Sequence, residues 1–162
     1  MEEVPPTWKT EIKSEAETEQ LAASCAQVFP QPAVITLNGT LGAGKTRFVR
    51  ALVEAIGGKA EWVSSPTYVL IQEYPTNPPV SHFDAYRIAD EEEWWELGAD
   101  EYFETGWTLI EWGERVAYGL PESFLEIRID LNEEEIRTFA FHPHGEEYRS
   151  SVEQLEKIYS AK

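Results

Sequence analysis

The sequence predicts an α/β fold in which a mostly parallel central sheet is flanked by helices and followed by a C-terminal antiparallel hairpin. Three features point to it. Ala33 to Leu37 and Trp107 to Ile110 are short, nearly continuous apolar runs, as expected of strands buried on both faces of a sheet. Amphipathic stretches at helical spacing lie among these runs. After Pro121 the pattern turns to alternation, with Leu125, Ile127, Ile129 and Leu131 on one face. Ile136 to Phe141 follows across the turn Asn132 to Glu135, which reads as a hairpin.

Taken in chain order, Trp8 to Ile12 reads as a short edge strand. Ser14 caps a helix over Glu15 to Val28 that ends before Pro30, with Leu21, Ala22, Cys25 and Val28 on its apolar face. The Ala33 strand runs into a Gly-rich turn, Gly39 to Gly44. A helix beginning near Lys45 turns Phe48, Val49, Leu52, Val53 and Ile56 inward and stops at Gly57-Gly58. Val69 to Tyr74 and Val80 to Phe83 read as strands separated by the Pro-rich turn Pro75 to Pro79. Asp90 caps a short acidic helix that reaches Leu97, with Glu91, Glu92 and Glu93 at the favourable end of the helix dipole. Trp94 and Trp95 are adjacent on it and cannot both face inward, so one is expected at an interface. Glu146 to Tyr159 forms a closing amphipathic helix.

The 162 residues suit one domain, 1–162, that buries roughly 70% of its unfolded surface. Hydrophobic residues at 42% and aromatics at 12% exclude a disordered chain. Thirteen Lys and Arg against thirty Asp and Glu leave a net charge of −17, which repels nucleic-acid backbones and anionic membranes. The lone Cys25 allows no internal disulfide and suits a reducing compartment, and it reads as a small core residue. Met1 to Pro6 lack the basic and apolar regions of a signal peptide, so a soluble, cytoplasmic protein without a membrane partner is expected.

The chemistry sits in Gly39-Thr40-Leu41-Gly42-Ala43-Gly44-Lys45-Thr46, which matches G-x-x-x-x-G-K-[ST], the phosphate-binding P-loop. Glycines allow successive backbone N–H groups to turn inward as an anion nest, and the helix starting at Lys45 directs its positive end at the same anion. Lys45 then reaches the phosphates, and the Thr46 hydroxyl suits Mg²⁺. The fold class sharpens accordingly to a small P-loop NTPase-like α/β fold. The motif does not separate ATP from GTP.

A metal-bound phosphate needs an acid at the end of a neighbouring strand. Asp84 after Val80 to Phe83 and Glu111 after Thr108 to Ile110 both qualify, and Glu111 has the cleaner strand before it. In Ser64-Ser65-Pro66-Thr67-Tyr68 the hydroxyls fit either a γ-phosphate sensor or a capped Pro turn. His82 reads as structural. His142 and His144 flank Pro143 with no further close-spaced ligand, which argues against zinc.

Several segments in one order resemble a single family. They are Leu41 to Thr46, Ser65-Pro66-Thr67-Tyr68, His82-Phe83-Asp84-Ala85-Tyr86-Arg87, Glu91 through Tyr102-Phe103, and Ile110-Glu111-Trp112. Together they resemble the bacterial TsaE (YjeE) family, from about Ile12 to the hairpin near Phe141. The resemblance implies a protein that binds ATP and Mg²⁺ and hydrolyses ATP weakly. It implies work with TsaB and TsaD in forming threonylcarbamoyladenosine (t6A) in tRNA, with tRNA reached only through that complex.

By resemblance, Leu41, Gly42, Ala43, Gly44 and Lys45 hold phosphates, with Lys45 the phosphate lysine. Thr46, Glu111 and Asp84 hold the metal; Lys45, Asp84 and Glu111 serve catalysis. Thr18 matches a threonine that contacts the base, and Arg137 a distal arginine near the nucleotide. Ser65, Thr67 and Trp112 match switch-like positions. The chain departs from its relatives at Thr40 and Arg47. Two other functions use the same loop: a non-catalytic nucleotide-gated binding module, or a small-molecule kinase.

Overall fold

The computed structural model describes residues 5–40, 42–64 and 70–161. Seven strands form one sheet: β1 (Trp8–Ile12), β2 (Ala33–Asn38), β3 (Ile71–Tyr74), β4 (Val80–Asp84), β5 (Trp107–Glu111), β6 (Phe124–Leu131) and β7 (Arg137–His144). The helices are α1 (Glu15–Val28), α2 (Lys45–Ala55), α3 (Glu91–Glu96), α4 (Ala99–Tyr102) and α5 (Glu146–Ser160). Strand order is β1-β7-β6-β2-β5-β4-β3. The four central strands, β6-β2-β5-β4, run parallel, while β1 with β7, β7 with β6, and β3 with β4 pair antiparallel. This is the α/β, P-loop NTPase-like architecture expected, with its parallel character concentrated in the centre and the C-terminal hairpin at one side.

The apolar runs are buried because the sheet is covered on both faces. Every residue of β2, β4 and β5 is buried. Successive side chains on a strand point to opposite faces. Ile35, Leu37 and Leu109 accordingly join the cluster packed by Leu21 of α1, Leu52 of α2 and Leu155 of α5. Val34, Phe83 and Ile110 join the opposite cluster with Trp94 and Val116. β6 alternates buried and less buried positions, as its sequence requires. Cys25 lies fully buried in the first cluster, where burial pushes its thiol pKa well up and leaves it unreactive.

The helix starts follow local capping. Ser14 Oγ accepts from Glu17 N, and Glu17 Oε2 accepts from Lys13 N at 2.8 Å. Asp90 Oδ1 accepts from Glu93 N at 2.9 Å, while Glu93 returns a bond to Ala89 N. α2 has no side-chain cap; Gly44, at φ +112°, precedes it in the left-handed region.

Some elements differ from expectation. β7 runs on to His144, because β6 offers partners as far as the pair Phe124–His144. α4 and the short 3₁₀ turns at 60–62, 85–87 and 113–119 carry no periodic pattern long enough to read. Val69 lies outside the described residues. Of the adjacent tryptophans, Trp94 is fully buried and Trp95 is 45% exposed. No helix among the described residues is long and apolar enough to cross a membrane.

Candidate functional site

Parallel strands direct their C-terminal ends to one edge, where the following loops converge. β2 delivers the Gly-rich loop, β4 delivers Asp84 and β5 delivers Glu111. Asp84 and Glu111 stand opposite one another in register, and Leu37 is the partner of Glu111 on its other side. Val80, His82 and Asp84 share one face of β4, and Trp107, Leu109 and Glu111 share the same face of β5. That face is the one α2 covers, so both acids meet the first turn of α2.

Lys45 Nζ donates to Gly39 O and Thr40 O at 2.8 Å each and lies 4.1 Å over the Trp112 ring. Burial lowers its pKa; Glu111, Glu114, Asp84 and Asp130 pull it back up, in that order. The Thr46 hydroxyl sits 2.8 and 2.9 Å from the two carboxylate oxygens of Glu111 and donates to them. Asp84 accepts from Tyr86 N at 3.0 Å. Burial raises the Asp84 pKa against that bond, and neighbouring Glu111 adds to the rise.

Arg137 reaches across from β7 and donates Nε–H to Ala43 O at 2.8 Å. A Cβ on Gly44 would stand 2.9 Å from that Nε, so the loop and the arginine approach as closely as glycine permits. Trp112 adopts a left-handed conformation at φ +61°, uncommon for a bulky side chain. The next residue accounts for the tight turn: a Cβ at Gly113 would lie 2.5 Å from Thr36 Cβ. Tyr86 packs on Trp112 with centroids 5.0 Å apart.

These groups surround one cleft of about 470 Å³. Of the sequence-predicted residues, Thr18, Gly42, Gly44, Lys45 and Thr46 line it. Asp84, Glu111, Trp112 and Arg137 line it as well. Ala43 is fully buried behind the loop and contributes its carbonyl to Arg137. Leu41, Ser65 and Thr67 lie outside the described residues. Arg47, from the first turn of α2, also lines the cleft and pairs with Glu15 of α1 at 2.7 Å.

Sequence reasoning missed three contributors. His82 is fully buried, with Nε2 2.5 Å from Glu111 Oε2 and Nδ1 2.8 Å from the Tyr74 hydroxyl. The signal was present, since a two-residue period puts His82 on the face of Asp84. Tyr74 joins from the antiparallel neighbour β3, across the Pro75 to Pro79 turn. Glu114 follows the β5 turn; burial raises its pKa, while Lys45 and then Arg128 counter the rise.

The donors that converge beside Thr46 are a hydroxyl and carboxylates, hard oxygen ligands of the type Mg²⁺ takes alongside phosphate and water. Thr46, Glu111 and Asp84 fit such an ion. Among the described residues no group of three or more His, Cys, Asp and Glu forms a self-contained metal cage.

The model of a protein family described as "Threonylcarbamoyl adenosine biosynthesis protein TsaE" matches residues 12–139. The chain belongs to the TsaE family. It is 37% identical over 152 residues to the Bacillus subtilis tRNA threonylcarbamoyladenosine biosynthesis protein TsaE, covering 93% of each chain. The Rickettsia felis protein of the same name is 36% identical over 127 residues, which span 78% of this chain and 74% of that one. Among solved structures, the crystal structure of YdiB from Bacillus subtilis superposes with a TM-score of 0.77 at 32% identity, covering 93% of this chain and 95% of the other. The family match thus spans the cleft residues from Thr18 to Arg137.

Proposed function

We propose that this chain is an ATP-binding, weakly ATP-hydrolysing protein that supports t6A formation in tRNA together with TsaB and TsaD. In this reading residues 1–162 act as one P-loop nucleotide-binding domain in the cytoplasm. The observation that carries it is the contact of Thr46 with Glu111 beside Lys45, at the mouth of a Gly-rich loop, in a chain of this family.

The positions of the described residues support the following roles. The loop amides and the uncapped start of α2 bind phosphate oxygens. Lys45 exchanges its two loop carbonyls for phosphate oxygens and balances charge that grows during transfer to water. Thr46, Glu111 and Asp84 would hold Mg²⁺, which would supply further charge neutralisation at the phosphates. Trp112 packs against Lys45 and limits its reach. Arg137 braces the loop through Ala43 and lines the cleft, which supports its assignment near the nucleotide. Thr18, buried on α1, lines the cleft, which supports its assignment by resemblance to the base. Leu41 belongs to the same loop, and Ser65 and Thr67 remain assigned to a phosphate-sensing segment by resemblance.

The charge of −17 supports an indirect route to tRNA, because a strongly acidic surface repels the RNA backbone and suits docking on a basic partner. The test is phosphate release from ATP, with and without the purified TsaB–TsaD pair. Slow release that rises with the pair is expected. Binding without release in either condition would favour the nucleotide-gated module. A phosphorylated metabolite would favour a kinase, and no nucleotide binding would remove the proposal.

A further inference from the structure

The Glu111 carboxylate is held from two directions. On the cleft side it accepts from Thr46; on the interior side Oε2 lies 2.5 Å from His82 Nε2. A carboxylate oxygen accepts, so the proton in that second contact is carried by Nε2. The other ring nitrogen is 2.8 Å from the Tyr74 hydroxyl, which also lies 2.5 Å from Gln72 Oε1, so its single proton serves one of these two contacts at a time. His82 has no exposed surface, and Tyr74 is 4% exposed. The row Gln72–Tyr74–His82–Glu111–Thr46 therefore crosses from the antiparallel edge strand β3, through β4 and β5, to the first turn of α2.

A buried imidazole needs partners for both nitrogens, but a purely structural histidine is served equally well by backbone groups. Here it meets a carboxylate and a phenol. One oxygen of Glu111 is engaged from behind while the Thr46 hydroxyl contacts both. The carboxylate can then turn only by losing a bond inside the protein, where no water replaces it. Support of this kind holds a ligating group in a single orientation.

We infer that His82, backed by Tyr74, is a positioning residue that sets the Glu111 carboxylate for a divalent cation bound with nucleotide. This rests on the nucleotide reading above and goes beyond it by assigning a function to two residues outside the phosphate and metal contacts.

The test separates positioning from packing by equilibrium binding of a non-hydrolysable ATP analogue, in MgCl₂ and in EDTA. His82→Asn keeps an amide near the Nδ1 position and loses the reach to Glu111; His82→Gln places an amide near Nε2. His82→Asn is expected to lose about 10–100-fold of the affinity that Mg²⁺ adds, with affinity in EDTA unchanged. His82→Gln is expected to restore most of it, and Tyr74→Phe, a smaller disturbance, to lose on the order of threefold. Melting temperatures measured in parallel report packing. The inference is overturned if all three variants keep the full Mg²⁺ increment. It is overturned equally if affinity falls alike in MgCl₂ and EDTA in step with melting temperature. A wild-type protein that binds no analogue in either buffer overturns the nucleotide reading itself, before any variant is compared.

Discussion

The tips of β4 and β5 present the same chemistry in different settings. Asp84 and Glu111 are carboxylates at paired register, both largely buried, both on the face covered by α2. Glu111 is tied to side chains on both sides, Thr46 in front and His82 behind. Asp84 accepts one backbone bond from Tyr86 and otherwise meets the cleft. Burial raises its pKa because little within the protein replaces the water it loses, and Glu111 beside it adds repulsion. Adjacent positions in one sheet thus hold one acid in a network and leave the other poised, and the difference comes from which neighbours the topology supplies.

If both acids serve one anion–metal pocket, the cation they share should matter most. Lys45→Ala is expected to reduce ATP turnover by at least about 100-fold, the scale for losing one preorganised electrostatic contact, measured by phosphate release. Undiminished turnover would separate the two acids from any P-loop function. Next in size, Glu111→Ala should lower Mg²⁺-dependent hydrolysis by about 10-fold more than Asp84→Ala, because it removes the network as well as a ligand. The reverse order would assign Asp84 the direct contact with the metal.

The same contrast has a sign in stability. Asp84 has a folded pKa above its ordinary value of 3.8, so the folded state binds more protons between those two values. Its contribution is therefore present below the ordinary value and lost as pH climbs through the folded one. Asp84→Asn keeps the acceptor for Tyr86 N and carries no charge. It is expected to raise the melting temperature of the nucleotide-free protein, with the gap to wild type opening as pH rises from acid to neutral. A gap that shrinks over that range would show that the charge is welcome in the fold. Smallest is Arg137→Ala, which removes the brace on Ala43; analogue affinity should fall by about fivefold, in line with one hydrogen bond worth about 1 kcal/mol.

Local pattern carried much of this molecule. The apolar runs of β2 and β5, the caps at Ser14 and Asp90, the hairpin after Pro121 and the Gly-rich loop with Lys45 and Thr46 each depend on residues close together in the chain, so their physics is written in short stretches. Asp84 and Glu111 were legible as strand-end acids, and the cleaner strand before Glu111 already favoured it. The support behind Glu111 was not legible as a whole, because Tyr74 and His82 lie close in the chain but reach Thr46 and Glu111 only once β3, β4, β5 and α2 are assembled. The same holds for Arg137, brought to Ala43 from 94 residues away by the hairpin on the far side of β2. Spacing along a chain specifies backbone shape and facing; burial and hydrogen-bond partners across elements depend on strand order, and strand order settles which acid is held and which is left free.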